Sequence, residues 1–281
     1  MTLPANFDLD AFVTAVLAED LGTGGDVTSA ATIPAEARFT AAMNAREPIV
    51  VAGLEIAAAF FRRLDPDVLI EVGAGDGDRV EAGAMLMRLD GNARTMLTAE
   101  RSALNTLQHL SGIATLTRRY VDAIAGTGAI LLDTRKTIPG LRVLEKYAAR
   151  MGGAQNHRMR LDDGVLIKDN HVAACGGVAE AVRRAKAANT GLQVQVEVDR
   201  LDQIEPALTA GADRLLLDNM DPQMLRQAVT LVARRVPLEA SGGVTLETIR
   251  SLAETGVDFI SLGRITQSAP AVDIGLDYST A

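Results

Sequence analysis

Two acids and a set of bases carry the chemistry latent in this chain. Glu197 and Asp218 each close a short apolar run of strand length, Val194-Gln195-Val196 and Leu215-Leu216-Leu217. Carboxylates at neighbouring strand ends can hold a Mg²⁺ that keeps several waters, or accept hydrogen bonds from a sugar diol. The structural alternative is pairing with nearby arginines. Arg135, Lys136, Arg158 and Lys168 form a cationic set larger than one phosphate requires. Guanidinium groups bind carboxylates bidentately and lysine adds a compact charge, so the set suits an anion with adjacent carboxylates. His157 lies in the same stretch and could donate to a carboxylate or polarise a leaving group. Ser241-Gly242-Gly243 and Gly263 follow two further apolar runs. Their backbone N–H groups are unobstructed, and phosphate sits readily at such turns when a helix begins there.

These residues need elements that bring them together. Six short apolar runs end in charge, glycine or a polar turn: Ile130–Leu132, Val165–Ile167, Val194–Val196, Leu215–Leu217, Val236–Leu238 and Phe259–Leu262. Helical spacing of apolar residues lies between the later ones, over Gly177–Ala188, Leu201–Ala210, Pro222–Arg234 and Thr245–Thr255. Strands alternating with helices imply a parallel sheet with right-handed crossovers. The rhythm predicts a short α/β barrel of about six or seven strands, with a doubly wound open sheet as competitor. In a barrel the C-terminal strand ends form one rim, and the candidate residues share it. The first part of the chain reads differently. It predicts an amphipathic helix over 7–21, strands over 38–46, 68–72 and 85–90, and a long helix over 93–125 broken near Ser111-Gly112. The fold class is therefore α/β, with an N-terminal α+β domain at residues 1–112 and a barrel at 113–268.

Charge and composition narrow the function. The chain has 281 residues and a net charge of −8, which argues against nucleic acid or an anionic membrane as main partner. Yet Asp133–His171 holds eight basic against five acidic residues and three of the four lysines. A basic island in an acidic protein is a place to hold a small, highly anionic ligand. The single cysteine, Cys175, permits neither an internal disulfide nor a four-thiolate zinc site. No apolar run reaches membrane-spanning length, and the start of the chain lacks a basic segment, so a soluble cytoplasmic protein is expected. No phosphate-binding P-loop, serine-triad order or dinucleotide glycine motif is present.

The motifs in their order resemble the quinolinate phosphoribosyltransferase family. The resemblance rests on Asp133-Thr134-Arg135-Lys136-Thr137-Ile138-Pro139-Gly140-Leu141-Arg142, Glu145-Lys146-Tyr147-Ala148, Asn156-His157-Arg158-Met159 and Leu166-Ile167-Lys168-Asp169-Asn170-His171. It extends from Glu19-Asp20-Leu21-Gly22 and Glu100-Arg101-Ser102-Ala103-Leu104-Asn105 to Glu197-Val198-Asp199, Leu217-Asp218-Asn219, Glu239-Ala240-Ser241-Gly242-Gly243 and Ser268-Ala269-Pro270. It implies a type II phosphoribosyltransferase-like fold, in which the N-terminal domain is sandwich-like and the tail 269–281 packs back on it. It also implies transfer of phosphoribose from phosphoribosyl pyrophosphate to quinolinate, with loss of CO₂ and pyrophosphate, giving nicotinate mononucleotide with Mg²⁺ as cofactor.

By the same resemblance, Arg135, His157, Arg158 and Lys168 bind the quinolinate carboxylates, and Lys136 also reaches pyrophosphate. Thr134 belongs to the same binding loop. Glu197 and Asp218 serve the ribose and Mg²⁺, and Ser241, Gly242, Gly243, Leu262 and Gly263 cradle the 5′-phosphate. Lys136, Lys168, Glu197 and Asp218 form the catalytic set. Arg101 completes the site of a neighbouring subunit in a homodimer or higher homo-oligomer, with Arg46 as a further candidate. The chain departs from the family pattern at Ala154, Arg160, Asp162 and Gln267, the last standing where a histidine is common. The runner-up is a related transferase of molybdenum metabolism; the intact Asn156-His157-Arg158 and Pro139-Gly140-Leu141-Arg142 favour quinolinate. A non-catalytic sensor of a phosphoribosyl ligand would be expected to lack one of the acids or Lys168.

Overall fold

Aspartates start the first two helices. Asp8 accepts the Ala11 N–H at the head of α1 (Leu9–Leu21), and Asp26 accepts the Ser29 N–H at the head of α2 (Val27–Thr32). Each carboxylate satisfies a donor that a first helical turn leaves without a partner. The computed structural model describes residues 3–4 and 7–280. Met1, Thr2, Ala5, Asn6 and Ala281, the outer ends of the first-domain and tail assignments, lie outside the described residues. Helix α1 buries only Val13 and Leu17, so its apolar face is narrower than the sequence pattern suggests.

Strands β1 (Arg38–Ala45) and β2 (Ile49–Val50) follow, then α3 (Leu54–Leu64), β3 (Leu69–Val72), β4 (Arg79–Val80) and β5 (Met85–Asn92). On β1 the buried residues Ala41, Met43 and Ala45 recur every second position, which turns one face of the strand to a core. The long helix α4 (Ala93–Ala123) runs unbroken through Ser111-Gly112, which corrects the expected break.

The later chain delivers the predicted alternation. In order come β6 (Ile130–Leu132), α5 (Arg142–Met151), β7 (Val165–Ile167), α6 (Asp169–Cys175), α7 (Val178–Ala187) and β8 (Val194–Val198). After a short 3₁₀ turn come α8 (Ile204–Thr209), β9 (Arg214–Asp218), α9 (Pro222–Val232), β10 (Leu238–Ser241), α10 (Leu246–Ala253), β11 (Phe259–Ser261), α11 (Arg264–Gln267) and β12 (Ile274–Thr280). Six of the strands form one parallel sheet in the order β6-β11-β10-β9-β8-β7. Leu215, Leu216 and Leu217 are all buried, as expected for a parallel strand covered on both faces. Gln155 adds a parallel bridge to Leu132 on the outer side of β6.

The chain divides into two units. One takes Met1–Leu116, Val143–Gly152 and Ala269–Ala281, the other Thr117–Arg142 and Gly153–Ser268. The segment Val143–Gly152, inside the 113–268 range, therefore counts with the first unit. In that unit β12 pairs with β1 to give an antiparallel sheet ordered β12-β1-β5-β3. This pairing explains Gly112. A side chain there would collide with the Pro270 carbonyl just before β12, so the glycine serves a close approach rather than a helix break. Among the described residues no helix is long and apolar enough to cross a membrane.

Candidate active site

A flat six-stranded sheet would hold its edge strands about 24 Å apart at the usual inter-strand spacing. In the second unit a single cavity of about 1120 Å³ is lined by residues that follow both edge strands. Thr134, Arg135 and Lys136 come after β6, and Lys168 comes after β7. The sheet is therefore curled, and its C-terminal strand ends surround one mouth. This is the barrel geometry, and the open-sheet competitor falls.

One side of the cavity is cationic. Asp133, fully inaccessible at the end of β6, accepts the His157 backbone N–H at 2.8 Å and also binds the Asn156 amide. That buried carboxylate ties the 156–158 segment to the rim. The Arg158 guanidinium donates to the Gly164 carbonyl at 2.8 Å. Burial, together with the neighbouring Arg135 charge, pushes Arg158 below its ordinary value. Two guanidiniums facing the same space in this way are a site that gains from an anion. Lys136 is fixed through its main chain, which donates to Thr134 Oγ1 at 3.0 Å and accepts from Thr266 Oγ1 at 2.6 Å.

The other side is acidic. Register places Glu197 opposite Leu216, so Asp218 ends β9 beside the end of β8. Lys168 Nζ bridges to Glu197 Oε2 at 2.8 Å. Burial and the Glu197 charge together raise the Asp218 carboxyl above its usual value. Asn219 sits in the left-handed region at φ 55°, with its amide donating to Asp218 Oδ2 at 2.7 Å and its backbone N–H to the Ser241 carbonyl at 2.9 Å. Asparagine adopts this conformation more readily than other non-glycine residues.

The turn after β10 and the end of β11 complete the mouth. Ser241, Gly242, Gly243, Leu262 and Gly263 all line it. Two of the glycines are required by close approach: a side chain at Gly242 would overlap the Asn219 amide, and one at Gly263 would overlap the Lys136 stem. Gln267 also lines the cavity.

Every expected site residue of the second unit thus borders one cavity. Arg101 and Arg46 belong to the first unit. Arg101 is exposed on α4. Arg46 forms an ion pair with Asp277 inside its own unit. Of the remaining basic-island residues, Arg142 donates to Thr137 Oγ1 and the Met159 carbonyl, while Lys146 is fully buried on α5. The sequence reading missed three contributors. Asn219 holds Asp218, and Gln195 and Glu239 lie behind His157, with Gln195 Oε1 3.1 Å from its Nε2. Their signal was available: Gln195 and Glu239 are polar residues inside apolar strand runs, and such residues are buried only with partners.

Comparison with known proteins agrees with this geometry. The chain matches the quinolinate phosphoribosyl transferase N-terminal domain over residues 26–111 and the C-terminal domain over 113–277. It is 46% identical over 268 residues to the nicotinate-nucleotide pyrophosphorylase [carboxylating] of Mycobacterium leprae, covering 93% of this chain and 94% of that protein. It is 43% identical to a probable nicotinate-nucleotide pyrophosphorylase [carboxylating] of Bacillus subtilis, covering 93% and 90%. The solved nicotinate-nucleotide pyrophosphorylase of Francisella tularensis superposes with a TM-score of 0.93 at 40% identity, covering 99% of this chain and 100% of that one. The chain belongs to the quinolinate phosphoribosyltransferase family.

Proposed function

We propose that this enzyme transfers phosphoribose from phosphoribosyl pyrophosphate to quinolinate and releases CO₂ and pyrophosphate, making nicotinate mononucleotide for NAD biosynthesis. The observation that carries the reading is one cavity with a guanidinium-rich side for a dicarboxylate and an acid-and-glycine side for a phosphorylated sugar. Arg135, Arg158 and Lys168 would hold the two quinolinate carboxylates and present the ring nitrogen to the ribose carbon. Glu197 and Asp218 would accept hydrogen bonds from the ribose hydroxyls and stabilise positive charge as the ribose carbon loses pyrophosphate. Lys136 would neutralise the departing pyrophosphate, and the backbone N–H groups around Gly242, Gly243 and Gly263 would take the 5′-phosphate. Keeping both reactants in one cavity supplies much of the rate by orientation alone.

Magnesium fits this side of the cavity. Burial and the Glu197 charge raise the Asp218 carboxyl, so a cation bound nearby would favour its ionised form. Among the described residues no group of three or more acids, histidines or cysteines could hold a metal alone. The ion would take Glu197 or Asp218 plus water and substrate oxygens, the usual magnesium–phosphate arrangement, and would offset pyrophosphate charge. We further propose a homodimer in which Arg101 serves the partner's cavity. Its support is an exposed guanidinium that forms no ion pair among the described residues. Cytoplasmic residence, as read from the sequence, remains part of the same proposal.

The test is product formation with quinolinate labelled at the 2-carboxylate, phosphoribosyl pyrophosphate and Mg²⁺. Labelled CO₂ and nicotinate mononucleotide should appear together, and nicotinate should not replace quinolinate, because a missing carboxylate leaves buried cations without a partner. Comparable turnover with nicotinate would refute the assignment.

A further inference from the structure

His157 keeps neither ring nitrogen for a ligand. Its Nδ1 accepts the backbone N–H of Arg158 at 2.8 Å. A ring nitrogen that accepts carries no proton, which leaves the imidazole proton on Nε2. The same answer comes from the opposite direction. Gln195 Nε2 lies 2.8 Å from Glu239 Oε2, and a carboxylate only accepts, so the amide must turn its NH₂ to Glu239 and its oxygen to His157. Gln195 Oε1 is 3.1 Å from His157 Nε2, with Glu239 Oε2 at 3.5 Å, and this geometry again requires Nε2 to donate.

The chain of bonds is anchored deep in the barrel. Glu239 is inaccessible and Gln195 is 6% exposed. Arg214 Nη2 sits 2.7 Å from Glu239 Oε2 while its guanidinium stacks 3.9 Å over the Phe259 ring. The charged groups around the His157 segment are Glu239 on β10, Arg214 on β9, Asp133 after β6, which takes the His157 backbone N–H, and Arg158 with its neighbour Arg135. A second proton on Nδ1 would set two donors against each other and add charge beside two guanidiniums. Arg214 and Gln195 both meet Glu239 at Oε2, and its Oε1 has no hydrogen-bond partner among the described residues.

We propose that His157 is a neutral positioning residue, protonated on Nε2. It fixes the Arg158 main chain against the buried Gln195–Glu239–Arg214 chain and takes no substrate carboxylate through its ring nitrogens. This replaces the expectation that His157 donates to a carboxylate or a leaving group. Its consequence for quinolinate binding rests on the function proposed above; the protonation state does not.

The experiment uses ¹⁵N-histidine-labelled, substrate-free enzyme, whose three ring spectra are assigned with His157→Gln. His157 should show a bare Nδ1 and a protonated Nε2 near neutral pH. An Nδ1–H form or an imidazolium under those conditions overturns the proposal whatever the substrate is. In Gln195→Leu the ring loses its acceptor, and its signals should shift; a folded variant with an unaltered ring spectrum would contradict the proposed anchor. Kinetics supply the second readout. His157→Gln, which keeps an uncharged donor and acceptor, should hold the quinolinate KM about tenfold nearer the wild-type value than His157→Ala does, as loss of hydrogen bonds to a charged group's support implies. Equal KM losses in both variants would show that the imidazole itself meets the substrate.

Discussion

The two units bury polar groups for different ends. In the first, Asp76 accepts the Gly53 and Leu54 N–H groups that open α3 and also receives the Tyr147 hydroxyl at 2.6 Å. His109 Nε2 lies 2.9 Å from the inaccessible Glu145 Oε1, and Ser111 Oγ both receives and returns hydrogen bonds to the Ala52 backbone. Each of these groups closes a helix end, a turn or a side-chain pair within the unit. In the second unit, Asp133 and the Gln195–Glu239–Arg214 chain reach outward to Asn156, His157 and hence Arg158 on the cavity wall. Burying charge is costly in both units unless it is paired. The first unit's pairs lie within its fold, whereas the second unit's pairs hold residues that line the cavity.

That contrast is open to direct attack. The largest effect is expected at the site proposed to be shared between subunits. Arg101→Ala and Lys168→Ala should each be nearly inactive, yet co-refolding them in equal amounts should restore roughly a quarter of wild-type activity, because in the proposed homodimer about half the dimers are mixed and one of their two sites is intact. Recovery near zero, with mixed dimers demonstrated, would place Arg101 outside the partner's chemistry. A smaller change is expected at Asn219. Asn219→Gly relieves the left-handed backbone but removes the donor to Asp218, so kcat/KM for phosphoribosyl pyrophosphate should fall about tenfold while the melting temperature holds. A loss of stability with unaltered kinetics would make Asn219 a turn residue only.

The smallest effect belongs to the first unit. Tyr147→Phe should lower stability by about 1–2 kcal/mol and leave turnover untouched. Burial, with the Asp76 contact, holds the Tyr147 phenol well above its ordinary value. The native state therefore keeps its proton where the unfolded chain begins to release one near pH about 10, so stability falls as pH rises beyond that point. Chemical denaturation across the alkaline range should show a shallower decline in Tyr147→Phe. Loss of turnover in this variant at neutral pH would break the division of labour between the units.

Much of the second unit was legible because its strands announce themselves locally. Leu215–Leu217 is apolar, short and stopped by Asp218, and the helix from Pro222 begins at a capping Asp221. The strands β2, β4 and β12 had no such signal. The Ile274–Thr280 segment mixes polar and apolar residues and becomes a strand only through β1, more than two hundred residues earlier. Gly112 misled for the same reason, since its partner near Pro270 is distant in sequence. In the site, the acids and glycines could be read from strand ends and the cationic set from the local excess of basic residues, whereas the roles of single residues within that set depended on family motifs. Arg158 and His157 sit on a loop whose position is set by Asp133, Gln195 and Glu239, three residues from three different strands or strand ends.

The central claim is that one cavity holds a dicarboxylate on its guanidinium side and a phosphorylated sugar on its acidic side. It is tested most directly by measuring the KM of each substrate, with the other saturating, in Arg158→Ala and Asp218→Asn. Arg158→Ala should raise the quinolinate KM at least about tenfold and leave that of phosphoribosyl pyrophosphate nearly constant; Asp218→Asn should do the reverse. If both variants weakened the same substrate, or neither altered a KM, the two-sided cavity would be the wrong description of this enzyme.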